Sequence, residues 1–232
     1  MEFTPVEWEA LQLSLKVSFW SVVCSLPLGI AAAWVLARLE FPGKGILNGI
    51  IPLPLVLPPV VTGYLLLLTL GTKGPVGAWL HDTFGIVLAF RWTGAVVAAA
   101  VMGFPLMVRA IRLSLESVDW RLESAAATLG ANRFFVFVTI TLPLIVPGLI
   151  AGTILSFAKG LGEFGATITF VSNIPGETRT LPIAIYSFLQ VPGSEGAATR
   201  LTVIAVTVSM LALVASEILA RRAARKLHGA NA

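Results

Sequence analysis

Few residues in this chain are typed and spaced for chemistry, and none are arranged for making or breaking bonds. Two histidines, His81 and His228, one cysteine, Cys24, and 12 carboxylates are scattered over 232 residues without metal-ligand spacing or a nucleophile beside a base. No Gly-Lys-Ser or Gly-Lys-Thr phosphate loop occurs, so the chain has no nucleotide site of its own. Two constellations remain. One is a polar, alanine-rich stretch from Glu123 to Pro143, small enough in its side chains to be gripped closely by another protein. The other gathers Ser156, Lys159, Gly160, Gly162 and Glu163, bringing a hydroxyl, an ammonium and a carboxylate to one end of a long apolar run.

The elements that must position them are membrane spans. With 56% hydrophobic residues, 12% charged residues and a mean hydropathy of +0.89, the chain is too apolar for a water-soluble domain. Leu11–Ala37, Ile46–Leu70, Thr93–Ile111, Phe135–Phe157 and Leu201–Leu219 are each near or above the roughly 20 residues that cross about 30 Å of hydrocarbon. Five spans are predicted. Phe164–Val171 and Leu181–Val191 are too short to cross and are separated by the turn-forming Ser172-Asn173-Ile174-Pro175-Gly176. Such pieces are tolerated at membrane depth only against protein or a watery cavity. Glu2, Glu7 and Glu9 stand where a cleaved leader would be basic, so the first span is expected to stay. Cys24 falls inside that span and reads as a small core residue.

Charge orients the spans. Arg38 and Lys44, then Arg109, Arg112, Arg121 and Arg133, then Arg221, Arg222, Arg225 and Lys226 fall on one face of a five-span chain, which is 10 of its 16 Lys and Arg. Lys73, Arg91, Lys159, Arg179 and Arg200 fall on the other, and Lys16 lies within or near the first span. The positive-inside rule makes the first face cytoplasmic and the amino terminus external. These basic loops also account for a net charge of +4 and a pI near 9.6 without a nucleic-acid partner.

On the cytoplasmic side, Asp119 is a suitable N-cap and Gly130 a suitable C′ residue for a helix of about three turns, with Leu122, Ala126 and Leu129 on one face. The bland alternative is an amphipathic helix lying on the headgroups. The spacing decides between them: Ala125-Ala126, three residues, Gly130, nine residues, Ile140, then Leu142-Pro143 resembles the EAA loop of ABC-importer permeases. Ser124 stands where that pattern has its acid, and Glu123 lies one place earlier. What the resemblance implies is a coupling loop over 115–135 and, reaching past its end, a set of ATPase-coupling residues made of Glu123, Ser124, Ala125, Ala126, Gly130, Ala131, Ile140, Leu142 and Pro143.

Further stretches widen the likeness. Phe41-Pro42-Gly43-Lys44, Leu53 to Val61, Phe104 to Arg109, Gly162 to Thr167 and Phe170 to Thr180 resemble the molybdate-importer permeases, with sulfate and thiosulfate permeases sharing parts of the set. The fold so implied is an all-α, type I importer permease in which residues 1–232 form one transmembrane domain of the bacterial inner membrane. The implied assembly holds a second copy, two cytoplasmic ATP-binding subunits that use ATP and Mg, and a periplasmic or lipid-anchored molybdate-binding protein. No cofactor is expected on this chain. A sulfate or thiosulfate permease, or a membrane-anchor subunit outside the ABC class, is the alternative.

A path needs irregular backbone and polar groups at depth. Pro52, Pro54, Pro58 and Pro59, followed by Thr62 and Gly63, must interrupt the second span's hydrogen-bond ladder, which makes either a path-lining helix or a kinked packing helix. Pro58, Pro59, Thr62, Gly63, Ser156, Lys159 and Glu163 are the candidate path or gate residues, although Lys159 and Glu163 could equally be an interfacial i, i+4 ion pair. Glu217, one turn before Arg221, reads as a structural pair. A haem anchor would need paired histidines within its helices. A secondary transporter would need midplane acids and a repeat. The sequence offers neither.

Overall fold

The computed structural model describes residues 4–229, and all of its regular elements are helices. The first, α1 (Pro5–Arg38), starts on a capping box: Glu7 N–H donates to Thr4 Oγ1, and Thr4 N–H donates to Glu7 Oε2 at 2.7 Å. Pro5 follows the cap, where its missing N–H costs nothing. The buried face of α1 carries Ser14, Ser18, Ser21, Ser25, Gly29 and Ala33 at helical spacing. Small and hydroxylated residues let membrane helices approach closely, and three of these four hydroxyls find partners while that of Ser18 is buried without one. Ser21 donates to Ser18 O, Ser25 to Val22 O and Met107 Sδ, and Ser14 accepts from Leu181 N–H.

The predicted second span is not one helix. It is divided into α2 (Lys44–Ile50), α3 (Leu53–Val56) and α4 (Pro59–Leu70), with a bend of 112° between Lys44–Val56 and Pro59–Leu70. Leu57 precedes Pro58 and Pro58 precedes Pro59, and both take extended ψ values of 146° and 131° as a following proline requires. Four helices are therefore long and apolar enough to cross a membrane, or five if the bent pair is one span: Pro5–Arg38, Trp92–Glu116, Phe134–Leu161 and Glu195–Arg222 are the four. The sequence missed α5 (Pro75–Phe84), a short helix that carries His81 and closes on Gly85 at φ +68°.

The centre is a three-helix seam of α1, α6 (Trp92–Glu116) and α9 (Leu142–Leu161). Along α9 the residues Gly148, Gly152, Ser156 and Gly160 recur every fourth place and are all buried. They form a small-residue ridge against α6. A Cβ on Gly148 would stand 2.3 Å from Ser114 Cβ, and one on Gly152 would stand 3.0 Å from Met107 O. From the other side, a Cβ on Gly103 would stand 2.3 Å from Ser156 Oγ. Met102, Met107, Ile111, Leu115, Ile145 and Phe170 fill the two cores along this seam. The short apolar pieces form helices of 7 and 9 residues that pack on their neighbours: α10 (Gly165–Val171) on α4, and α11 (Leu181–Leu189) on α1 and α12 (Glu195–Gly229). The buried Glu7 accepts from Arg200 Nη2 at 2.8 Å and Nε at 3.0 Å, tying the start of α1 to α12. Cys24 is exposed on α1 and not in the core, because the buried stripe of the helix runs through Ser18, Ser21, Val22 and Ser25 and leaves position 24 off it.

Candidate coupling site

Between α6 and α9 the chain forms α7 (Trp120–Thr128), α8 (Arg133–Val136) and a π-helical turn, Phe137–Thr141, that runs straight into α9. Asp119 Oδ1 accepts from Arg121 N–H at 2.9 Å and caps α7. The helix ends on a Schellman motif: Ala131 N–H donates to Ala126 O, Gly130 N–H donates to Ala127 O, and Gly130 sits at φ +87°. Both predicted boundary residues therefore lie where the helix starts and stops.

The outward side of α7 is apolar and open. Leu122, Ala125 and Leu129 are exposed, with Leu129 at 88%, while Ala126 is half-buried. The open face is thus one step round from the Leu122–Ala126–Leu129 face that spacing alone suggests. Ser124 is also exposed, and Trp120, Phe134 and Phe135 extend this apolar surface.

The inward side is held by Glu123. Its Oε1 accepts from Arg38 Nη2 at 2.8 Å and from Thr141 Oγ1 at 2.7 Å. Arg38 is the last residue of α1 and Thr141, buried, is the last residue of the π turn, so one carboxylate oxygen joins α7 to two core helices. An ion pair whose members are each only 20–26% exposed is worth more than a surface pair, because water screens it less. Beside it opens a cleft of about 440 Å³ whose walls include Trp34, Arg38, Trp120, Glu123, Ser124 and Phe137. Ala131 also lines it, whereas Ile140 is half-buried and Leu142 and Pro143 form the first turn of α9, where Leu142 packs into the core. Sequence reasoning placed Arg38 only as a topological charge and did not see Thr141. Nothing in the spacing of residues 38, 123 and 141 signals that they meet.

The path candidates form a second group, around α10. Pro59 opens α4 against Gly165, where an added Cβ would lie 2.7 Å from Pro59 Cβ. Gly63 lies against Ala166, whose carbonyl would be 2.5 Å from its Cβ, and Thr62 is buried beside it in sequence with an unpartnered hydroxyl. Glu163 Oε1 accepts from Ala166 N–H at 3.0 Å at the start of α10, and its Oε2 accepts from Lys159 Nζ at 2.5 Å. The Glu163 side chain is only 2% exposed and that of Lys159 29%, so the carboxylate is buried and the ammonium alone reaches outward. Pro58 is the extended residue just before α4. Ser156 stands apart from this group, in the α6–α9 seam against Gly103. Glu217 and Arg221 form the expected ion pair on α12.

Residues 25–225 match the family described as "Binding-protein-dependent transport system inner membrane component". The chain is 62% identical to the molybdenum transport system permease protein ModB of Escherichia coli (strain K12), over 95% of this chain and 96% of that protein. It is 55% identical to the ModB protein of Haemophilus influenzae, over 97% and 99%. Among solved structures, a bacterial ABC transporter involved in the import of the acidic polysaccharide alginate superposes with a TM-score of 0.70 at 20% identity, covering 95% of this chain and 80% of its own. At that identity the likeness shows the fold, which is that of an ABC-importer permease. The five apolar runs, the broken second span and the capped loop helix are therefore features of a multi-pass inner-membrane protein, and the chain belongs to the family of inner membrane components of binding-protein-dependent transport systems.

Proposed function

We propose that this chain is the translocation subunit of an importer that moves molybdate into the cytoplasm. The observation that supports the substrate is the 62% identity, over nearly the full length, to a protein named for molybdenum transport. The chain works as a pair with a second copy of itself and takes its cargo from a periplasmic or lipid-anchored molybdate-binding protein. ATP and Mg are used by two cytoplasmic ATP-binding subunits.

Coupling then follows from the geometry. The apolar, exposed side of α7 is the surface an ATPase subunit grips, and Glu123 passes its displacement to Arg38 at the end of α1 and to Thr141 at the head of α9. A helix nine residues long, capped at both ends, moves as one body. The π turn beside it is a suitable yielding point, since π turns hold one residue too many for the regular ladder and cluster at functional sites. Around α10, the tight α4–α10 contact at Gly63 and Gly165 with the buried Glu163–Lys159 pair forms the gate region. Lys159 supplies a cation that draws in a dianion. The test is uptake of labelled molybdate and of labelled sulfate into proteoliposomes holding this permease with its ATPase and the cognate binding protein. ATP-dependent molybdate uptake that sulfate does not compete away supports the reading. Sulfate uptake at equal rate overturns the substrate.

A further inference from the structure

A groove of about 570 Å³ runs along the outer surface where α1 and α6 meet, bounded by Trp20 and Leu28 of α1, Pro54 of α3, and Trp92, Val97 and Phe104 of α6. Its one serine, Ser25, turns its hydroxyl inward to Val22 O and Met107 Sδ. Such walls offer a dianion nothing, so the groove is not part of the molybdate path.

Its two ends differ. From Trp92 to Phe104 along α6 the groove runs about 18 Å, a little over half of a roughly 30 Å hydrocarbon core. Ile50, Ile51 and Pro54 of the broken second span add to its apolar lining, and Ile51 and Leu47 pack against the inner core. At the Trp92 end stands Lys16, whose ammonium lies 3.6 Å from the centre of the Trp92 ring. Arg91 immediately precedes Trp92, and both cations are exposed. Glu177 accepts from the Trp92 N–H at 3.4 Å, and among the described residues Lys16 forms no ion pair with a carboxylate. A lysine ammonium at an apolar surface is stable only when its charge reaches water or an anion.

We propose that this groove binds one acyl chain of an anionic phospholipid, with Lys16 holding the headgroup phosphate. A groove about one leaflet long, apolar along its walls and cationic at its Trp92 end has the shape and charge of such a lipid. The Trp92 face orients the ammonium as aromatic rings do for cations, and the phosphate completes its coordination.

The full transport complex in nanodiscs, doped with phosphatidylglycerol or phosphatidylcholine bearing a diazirine near the chain end, tests this by photocrosslinking and peptide mapping. The phosphatidylglycerol probe is expected to label the peptides over 20–28 and 92–104 at least about fivefold more than the phosphatidylcholine probe, while α12 is labelled equally by both. Lys16→Gln is expected to remove that preference and Lys16→Arg to keep it. Equal labelling of the groove by the two probes, reflecting bulk lipid only, overturns the proposal. So does a lack of labelling together with efficient crosslinking of Cys24, which lines the groove, to Cys24 of a second copy, since another protein chain then covers it.

Discussion

Arg38 and Glu123 meet at 2.8 Å across 85 positions of sequence, joining the C-terminal end of the first helix to the loop helix proposed as the ATPase contact. The pair is half-buried and shares its acceptor oxygen with Thr141. Glu123→Gln keeps the shape but lowers the acceptor strength toward a guanidinium, and a hydrogen bond to a charged group is worth about 1.5–3 kcal/mol. ATP hydrolysis by the assembled complex is expected to persist while molybdate uptake per ATP falls several-fold. Arg38→Glu with Glu123→Arg should recover part of the loss. Wild-type uptake per ATP in Glu123→Gln would show that α7 is not coupled through this contact.

Gly130 ends α7 at φ +87°, and a Cβ there would touch nothing within 4 Å. Gly130→Val therefore acts through backbone strain alone, about 1–2 kcal/mol for a left-handed residue and more for a β-branched one. Complex assembly or coupling should weaken, whereas Gly130→Asn should lie close to wild type because asparagine tolerates this conformation. Equal behaviour of the two variants in a pull-down with the ATPase would refute the cap.

Lys159 and Glu163 are asymmetric, and the asymmetry gives a sign. Lys159→Gln leaves a carboxylate at 2% exposure without its cation, while Glu163→Gln leaves an ammonium that is 29% exposed and can turn toward water. The first variant is expected to lose about 1–3 kcal/mol in detergent thermal unfolding and the second clearly less. A lower melting temperature for Glu163→Gln than for Lys159→Gln would contradict the burial described for the pair. In the same variants, Lys159→Gln should slow uptake even where folded complex is matched.

Gly103 faces Ser156 so closely that an added Cβ would lie 2.3 Å from its hydroxyl oxygen. Gly103→Leu should therefore separate α6 from α9 and abolish stable expression, a cost of overpacking on the order of 1–3 kcal/mol or more. Ser156→Gly in the Gly103→Ala background should restore part of the stability. Size-exclusion profiles decide it.

Cysteines introduced into a Cys24→Ser background locate the two sides. Asp82 and Ser194 variants should react with an impermeant thiol reagent from outside, and an Asn132 variant only from the cytoplasm. Position 82 is preferable to Gly77, where any side chain would meet Gly71 O at 2.0 Å. Outside labelling of position 132 would reverse the topology.

The sequence by itself determined the membrane, the approximate ends of the spans, the capped helix from Asp119 to Gly130 and the proline break before α4. Each of these follows from local rules: hydropathy over some 20 residues, cap chemistry, and proline's missing donor. The α9 ridge of Gly148, Gly152, Ser156 and Gly160 was also present at a fixed spacing of four and could have been read as a packing stripe, which would have set Ser156 in the core. Tertiary structure alone decided the rest. The broken second span folds back through 112° because α10 offers Gly165 and Ala166 to Pro59 and Gly63, contacts over a hundred residues apart in the chain. Glu163 is buried because it caps α10 as well as pairing with Lys159. The meeting of Arg38, Glu123 and Thr141 depends on how α1, α7 and α9 cross, and no periodicity within any one segment records a crossing between three of them.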